Sequence, residues 1–117
     1  MIGWLLAGAV AFALFHKPDP SKGYPSGLGP LDRLPAGIGK PSGDWSPVTA
    51  PTTKIVYATW TWPPQGDQQF HVAARNDGHK GWVAYYMNRT TGARTYYGGW
   101  TPADGDQVAL LRKDFGV

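Results

Sequence analysis

Cysteine and glutamate are both missing from this chain of 117 residues. Without cysteine, the chain has no disulfide, no thiolate metal site and no lipidated cysteine. Without glutamate, all eight acidic residues are aspartate, which favours turns and helix caps over helix interiors. Together with 16 glycines and 11 prolines, this composition predicts strands, turns and extended chain rather than a helical protein.

The usual catalytic signatures are missing as well. The chain has no Gly-x-Ser-x-Gly motif, no phosphate-binding glycine loop and no His-Glu-x-x-His motif. His16, His71 and His79 have no spacing that brings them together as metal ligands. We therefore expect a protein that is not an enzyme and needs no metal or cofactor. The net charge of +3 is too small to predict nucleic-acid binding.

An uncharged apolar run occupies residues 1–15. As a helix it would be roughly 22 Å long, against about 30 Å for a bilayer core, so it would need a thinned membrane or flanking residues that reach the interface. We predict a membrane-anchor helix over residues 1–17. Its anchoring side chains are Trp4, Leu5, Leu6, Phe12, Leu14, Phe15 and Lys17.

Two other interpretations of this run stay open. One is a cleaved secretory signal, although no Lys or Arg precedes the apolar residues as such signals require. The other is a helix buried in a partner protein. Because the basic residues follow the run, the positive-inside rule predicts that the rest of the chain lies on the cytoplasmic side or its topological equivalent.

Residues 18–52 form a zone with eight prolines and six glycines. The sequence Pro-Ser-Gly-Leu-Gly-Pro at 25–30 is echoed by Pro-Ala-Gly-Ile-Gly-Lys-Pro at 35–41. So many prolines exclude a regular helix or a central strand. A disordered linker is one interpretation. We favour an extended arm that lies against a neighbouring protein, because the zone carries the apolar side chains Tyr24, Leu28, Leu31, Leu34, Ile38 and Trp45.

Residues 53–117 show the alternation typical of strands. Three segments, 54–62, Gln68–Arg75 and Trp82–Asn88, are followed by a fourth at 93–97, where Gly98 and Gly99 end the pattern. The turn residues between them predict a four-stranded antiparallel meander. Residues 108–113 predict a short C-terminal helix, with a fifth strand as the alternative. The fold class is mainly β, in three parts: anchor, arm and β module.

Aromatic side chains are concentrated in the β module. A sheet of this size has too little second layer to bury aromatics on both faces, so one set is expected to remain exposed as an interface. The candidate interface residues are Trp60, Trp62, Trp82, Tyr85, Tyr86, Tyr96, Tyr97 and Trp100. A protein neighbour is the first expected ligand, a glycan stacked on the tryptophans the second, and nucleic acid is not expected.

These features predict a membrane-anchored structural protein whose partners are lipid and the protein subunits of a larger assembly. It would tie a membrane, or a membrane complex, to a protein layer. One setting is a minor virion protein of a lipid-containing phage; another is a small accessory subunit of a bacterial photosynthetic or respiratory complex. A membrane-tethered module that binds cell-envelope glycan is the competing class, and it requires the opposite membrane orientation.

Overall fold

A computed structural model describes residues 19–102 and 105–117 of the chain. The described strands are β1 (Ser46–Thr49), β2 (Val56–Thr61), β3 (Gln68–Arg75), β4 (Trp82–Asn88) and β5 (Arg94–Trp100). They form an antiparallel sheet in sequence order. A 3-10 turn (Pro30–Asp32) precedes the sheet, and helix α1 (Gly105–Phe115) follows it. The mainly β prediction and the C-terminal helix are confirmed.

The sheet has one strand more than predicted, because β1 lies inside the zone interpreted as an arm. β1 pairs with β2 from Ser46 opposite Thr59 to Thr49 opposite Val56. It contains Pro47, which has no backbone N–H to donate. Proline is tolerated here because β1 is an edge strand with a neighbour on one side only.

Strand β5 continues past the point where the sequence predicted its end. Ala84 pairs with Gly98 and Tyr85 pairs with Tyr96, so Tyr97 is an extra residue on β5, in a β-bulge. The two glycines therefore extend the strand instead of ending it. This extension brings Trp100 opposite Trp82.

The face of the sheet that we call the arm face is covered by the Pro/Gly-rich zone. Alternate residues of β2, β3 and β4 point to this face, as the period-two pattern predicts. Its buried members are Ala58, Trp60, Trp62, Phe70, Val72, Ala74, Trp82 and Ala84, together with Trp45. The arm packs Tyr24, Leu31, Leu34 and Ile38 onto this cluster. Residues 19–45, which we call the arm from here on, thus provide the layer that the sheet needs.

The opposite face, which we call the helix face, is covered by the C-terminal segment. Its buried sheet residues are Tyr57, Ala73, Val83 and Tyr85. Leu111 and Phe115 of α1 pack onto them, and the Phe115 ring meets the Tyr57 ring edge-on with centroids 4.7 Å apart. The described chain is therefore three layers thick: arm, sheet and helix.

The carboxylate of Asp114 connects helix α1 to the sheet by hydrogen bonds. Asp114 accepts hydrogen bonds from the Tyr57 hydroxyl at 2.8 Å and from the Thr53 hydroxyl at 3.0 Å. Burial and the neighbouring Asp114 raise the pKa of Tyr57 well above its ordinary value. The phenol is thus held in its protonated, hydrogen-donating form.

The predicted membrane anchor at residues 1–17 lies outside the described residues. Among the residues that are described, none of the helices has the length and apolar character needed to cross a membrane.

Candidate functional site

Half of the predicted aromatic interface belongs to the core of this chain. Trp60, Trp62, Trp82 and Tyr85 are only 5%, 1%, 3% and 6% exposed. The prediction of an open aromatic face considered the β module alone and did not include the arm as a layer that covers it. The arm covers one face and α1 covers the other, so these four rings are enclosed.

The rest of the predicted interface stays at or near the surface. Tyr86, Tyr96 and Trp100 are half-buried, and Tyr97 is 42% exposed. Tyr86 and Tyr97 lie on the arm face, with ring centroids 6.1 Å apart, and Tyr86 borders the arm turn at residues 35–38. Both rings rest on Phe70, at 5.0 Å and 5.4 Å. We call Tyr86 and Tyr97 the tyrosine surface.

A small cleft adjoins the tyrosine surface. It has a volume of about 70 Å³ and lies between the arm turn at residues 35–38 and the sheet. Its walls combine the polar residues Gln65 and Gln68 with mostly apolar residues, namely Pro35, Ala36, Gly37, Ile38, Trp62, Pro63, Phe70 and Tyr86. This cleft is large enough for one small side chain and too small to enclose an ordinary metabolite.

A wider hollow of about 360 Å³ lies along residues 96–99 of β5, and Tyr97 is one of the residues that line it. Gly98 and Gly99 form its floor, and the exposed side chain of Arg33 lines it from the arm. A Cβ atom on Gly99 would lie 2.9 Å from the Trp82 carbonyl oxygen, whereas one on Gly98 would meet nothing within 4 Å. Because Gly98 and Gly99 have no side chains, the backbone of β5 is accessible here, beside Arg33.

Two further arginines are engaged on the helix face. Arg94 lies over the Tyr85 ring, 5.2 Å from its centroid, and donates to the Phe115 carbonyl. Arg112 lies over the Tyr96 ring at 4.0 Å and donates to the Val117 carbonyl. These cations tie the C-terminal residues to β4 and β5, so Tyr85 and Tyr96 act as internal cation–π partners.

His71 is held as a neutral ring against the sheet. Its imidazole stacks on Tyr85 with centroids 5.1 Å apart and planes 5° apart, and its enclosed Nε2 atom has no hydrogen-bond partner among the described residues. Burial lowers the pKa of His71, and the positive charge of Arg94 lowers it further. Within residues 19–102 and 105–117, no three His or Asp side chains come together as a metal site.

The arm residues predicted to contact a neighbour are seated on the chain's own sheet. Tyr24, Leu31, Leu34 and Ile38 pack on the arm face, and Trp45 is 7% exposed within the core. Leu28 contributes its carbonyl oxygen, which accepts a hydrogen bond of 2.7 Å from the Trp82 indole nitrogen. Tyr24, Leu31, Leu34, Ile38 and Trp45 thus bury apolar surface against this chain itself, and contact of the arm with a neighbour stays a prediction.

Three residues around the tyrosine surface were missed by sequence reasoning. Pro35 and Pro63 line the cleft, and Arg33 lines the hollow. Pro35 begins the second copy of the sequence repeat, and this repeat was the one sequence feature that indicated an ordered turn here.

Comparison with protein-family models, with characterised proteins and with solved structures finds nothing that matches this chain.

Proposed function

We propose that this chain is a non-enzymatic, membrane-anchored interaction protein that ties a membrane, or a membrane complex, to a protein layer. The apolar run at residues 1–15 provides the attachment, and the three-layered unit provides a folded head. The tyrosine surface is the contact region of that head.

One observation carries this proposal: the most exposed aromatic ring of the described sheet, Tyr97, lies near a small cleft of mixed polarity and an accessible strand edge. Tyrosine is enriched at protein interfaces because it buries a large ring and still donates a hydrogen bond. A shallow cleft for one side chain suits an anchor residue of a protein partner. The glycan alternative is less well supported, because Trp60 and Trp62 are buried and unable to stack on a sugar.

Two settings fit this design: a minor virion protein of a lipid-containing phage, and an accessory subunit of a bacterial photosynthetic or respiratory complex. The phage setting is our first choice, because a short anchor followed by a compact head suits a link between an internal membrane and a capsid. Binding of nucleic acid is not proposed, since Arg94 and Arg112 are engaged with aromatic rings and C-terminal carbonyls.

Flotation of the full chain with vesicles tests the anchor. We expect the wild-type chain to float and the Leu5→Asp/Leu6→Asp variant to remain in the dense fraction, because two charges make insertion unfavourable. Leu110→Asp is the matched control, since Leu110 is an exposed leucine of α1 outside the apolar run. Flotation of all three proteins alike would overturn the anchor.

Site-specific photocrosslinking tests the contact region. A benzophenone residue replaces Tyr97 in one full-length variant and Val48 in another; these side chains are 42% and 41% exposed but lie on opposite edge strands. We expect a discrete crosslinked product with a subunit of the native assembly from position 97 and not from position 48. Equal yields from both positions would remove the tyrosine surface from the proposal.

A further inference from the structure

The sequence repeat of the arm folds as one turn built twice. The Leu28 N–H donates to the Pro25 carbonyl at 3.0 Å, and the Ile38 N–H donates to the Pro35 carbonyl at 3.4 Å. The glycine inside each turn has a positive φ, +77° at Gly27 and +76° at Gly37. Each Pro-x-Gly unit is therefore a tight turn in which only glycine is unstrained at the third position.

Each copy of the turn is seated on a tryptophan of the arm face. The Trp82 indole nitrogen donates to the Leu28 carbonyl of the first copy at 2.7 Å. The Trp62 indole nitrogen donates to the Gly39 carbonyl of the second copy at 3.3 Å. Both tryptophans are nearly fully buried, and each combines an apolar ring with one directional donor. The two seats differ by one residue, because Trp82 bonds the carbonyl of the fourth residue of its turn and Trp62 that of the fifth. The glycine at the fifth position has a φ of -73° in the first copy and +78° in the second.

The described hydrogen bonds between residues 19–39 and the sheet all involve a side chain. Besides the two indole contacts, the Tyr24 hydroxyl donates to the Gly81 carbonyl at 3.1 Å and accepts from the Gly81 N–H at 3.0 Å. Lys80 donates to the Gly23 carbonyl. Such contacts depend on the sequence of the arm and not on its covalent connection to the sheet that it covers.

We propose that Trp62 and Trp82 form a recognition surface for Pro-x-Gly-Leu/Ile-Gly turns, and that this surface takes the arm of a second copy of the chain. This inference rests on the proposed function, because it names how copies of an anchored interaction protein are joined. Exchange of the arm replaces each contact within the chain by the same contact between two chains. Domain exchange of this kind is a low-cost route to an oligomer.

The connection between the arm turns and β1 has the features of a hinge. Residues 40–44 lie between Gly39, which is bound to Trp62, and the buried ring of Trp45. Four of the five are exposed, and Gly43 has a φ of +98° with open space around it. The Ser42 N–H donates to the Thr61 carbonyl at 2.7 Å, so exchange has to open this backbone bond to the sheet. Five extended residues span about 17 Å, enough to redirect residues 19–39 while Trp45 stays in its own core. Attachment to one membrane raises the local concentration of neighbouring arms.

Isotope-mixed crosslinking of the full chain tests the exchange. Light and heavy-nitrogen chains, both made with photo-leucine, are unfolded together, refolded into vesicles and irradiated. Leu28, Leu31 and Leu34 then carry nearly isosteric crosslinkers in the arm. If arms exchange, about half of the arm-to-sheet peptide pairs contain one light and one heavy partner, as random pairing requires. Pairs of a single isotope would show that the arm stays on its own sheet and overturn the inference.

Mixed pairs at other surfaces, together with arm-to-sheet pairs of a single isotope, would overturn the exchange while leaving self-association through the tyrosine surface in place. The failure of this inference is therefore distinguishable from the failure of the proposed function.

A second measurement tests recognition of the turn itself. A fluorescent peptide of residues 19–42 is titrated with the full chain, and its anisotropy is followed to equilibrium. The matched control peptide carries Gly27→Val and Gly37→Val, because valine strongly disfavours a positive φ. We expect the control to bind at least about tenfold more weakly, since its turns are strained. Equal binding of the two peptides, or no binding of the native one, would contradict a turn-specific surface.

Discussion

The Trp82 indole nitrogen lies 2.7 Å from the Leu28 carbonyl oxygen, across 54 residues of sequence. This bond connects a proline-rich segment, which forms no ladder of its own here, to the centre of an antiparallel sheet. A donor buried in an aromatic core needs an acceptor, and the arm supplies one. The arm is thus a structural layer of the head.

We expect Trp82→Phe to lower the free energy of unfolding of the full chain by about 1–3 kcal/mol. The variant keeps an aromatic ring but leaves the Leu28 carbonyl without its donor and the site partly unfilled. Urea unfolding in detergent micelles, followed by circular dichroism, measures the change. Trp100→Phe is the control, because Trp100 is a half-buried tryptophan of the same face that packs on the core cluster and meets the Tyr24 ring edge-on at 5.4 Å. Equal losses in both variants would show that the indole bond contributes little.

We expect the two adjacent glycines of β5 to differ sharply in how much stability an alanine substitution costs. Gly99→Ala places a methyl group 2.9 Å from the Trp82 carbonyl oxygen and 3.1 Å from the Tyr96 hydroxyl, so we predict a loss of about 1–3 kcal/mol. Gly98→Ala meets open space and should be neutral within about 0.5 kcal/mol. Thermal or urea unfolding of the two variants measures the difference. A larger loss at Gly98 would contradict the register of β5.

Alkaline pH should weaken the contact between α1 and the sheet. Because the pKa of Tyr57 is raised on folding, its phenol ionises more readily in the unfolded chain, so stability is lost as the pH rises above about 10. We expect Tyr57→Phe to reduce this loss, as judged by urea unfolding between pH 8 and pH 11, which are about two units below and one unit above the ordinary value.

The matched control for Tyr57 is Thr53→Val. It removes the other hydroxyl donor to Asp114 without removing a titrating group. We expect it to lower stability at every pH and to keep the wild-type pH dependence. An unchanged alkaline loss in Tyr57→Phe would mean that other groups produce it.

Acid should reduce the stability that an ion pair contributes in the turn between β3 and β4. Arg75 donates two hydrogen bonds to Asp77, and this pairing lowers the pKa of the Asp77 carboxyl. Stability from the pair is present above the ordinary carboxyl pKa and is lost as the pH falls through the lowered value. Asp77→Asn should cost about 0.5–1 kcal/mol at pH 7, within the range of exposed pairs.

The difference between wild type and Asp77→Asn should begin to narrow below the ordinary carboxyl pKa and keep narrowing toward the lowered one, which unfolding from about pH 5 down to about pH 2 would reveal. Asp67→Asn provides the comparison, since the described side-chain bond of Asp67 is with the Thr90 hydroxyl. A constant difference at all pH values would indicate that Asp77 acts through its turn geometry alone.

The sheet could be predicted from alternation where alternation is continuous. β3 and β4 have the predicted bounds, and their inward residues are those of the predicted faces. β1 could not be found this way, because four residues containing Pro47 show no period and are ordered by pairing with β2. The course of β5 beyond Gly98 depends on a bulge, which a pattern of side chains does not report.

The site was predicted less completely than the fold, for a physical reason. Aromatic clustering identified Tyr86 and Tyr97, but separating surface rings from core rings requires knowing what covers the sheet. The proline-rich zone was predicted to lie against a neighbour because its apolar side chains need a surface to cover, and no periodicity indicated that this surface is the chain's own sheet. Its seats on Trp62 and Trp82 depend on carbonyl groups, which every residue has and no sequence pattern distinguishes.

The double hydrogen bond between Tyr24 and Gly81 has a mechanical consequence. A pulling force on the residues before Asp19 would first reach the contact of Gly23 with Lys80 and then this double hydrogen bond of Tyr24, both at the residues that precede β4. If these contacts open, the load passes to the first turn on Trp82 and then to the second on Trp62. The arm would therefore detach from the sheet in steps under load, and its released residues would extend before any strand of the sheet is separated from its neighbour.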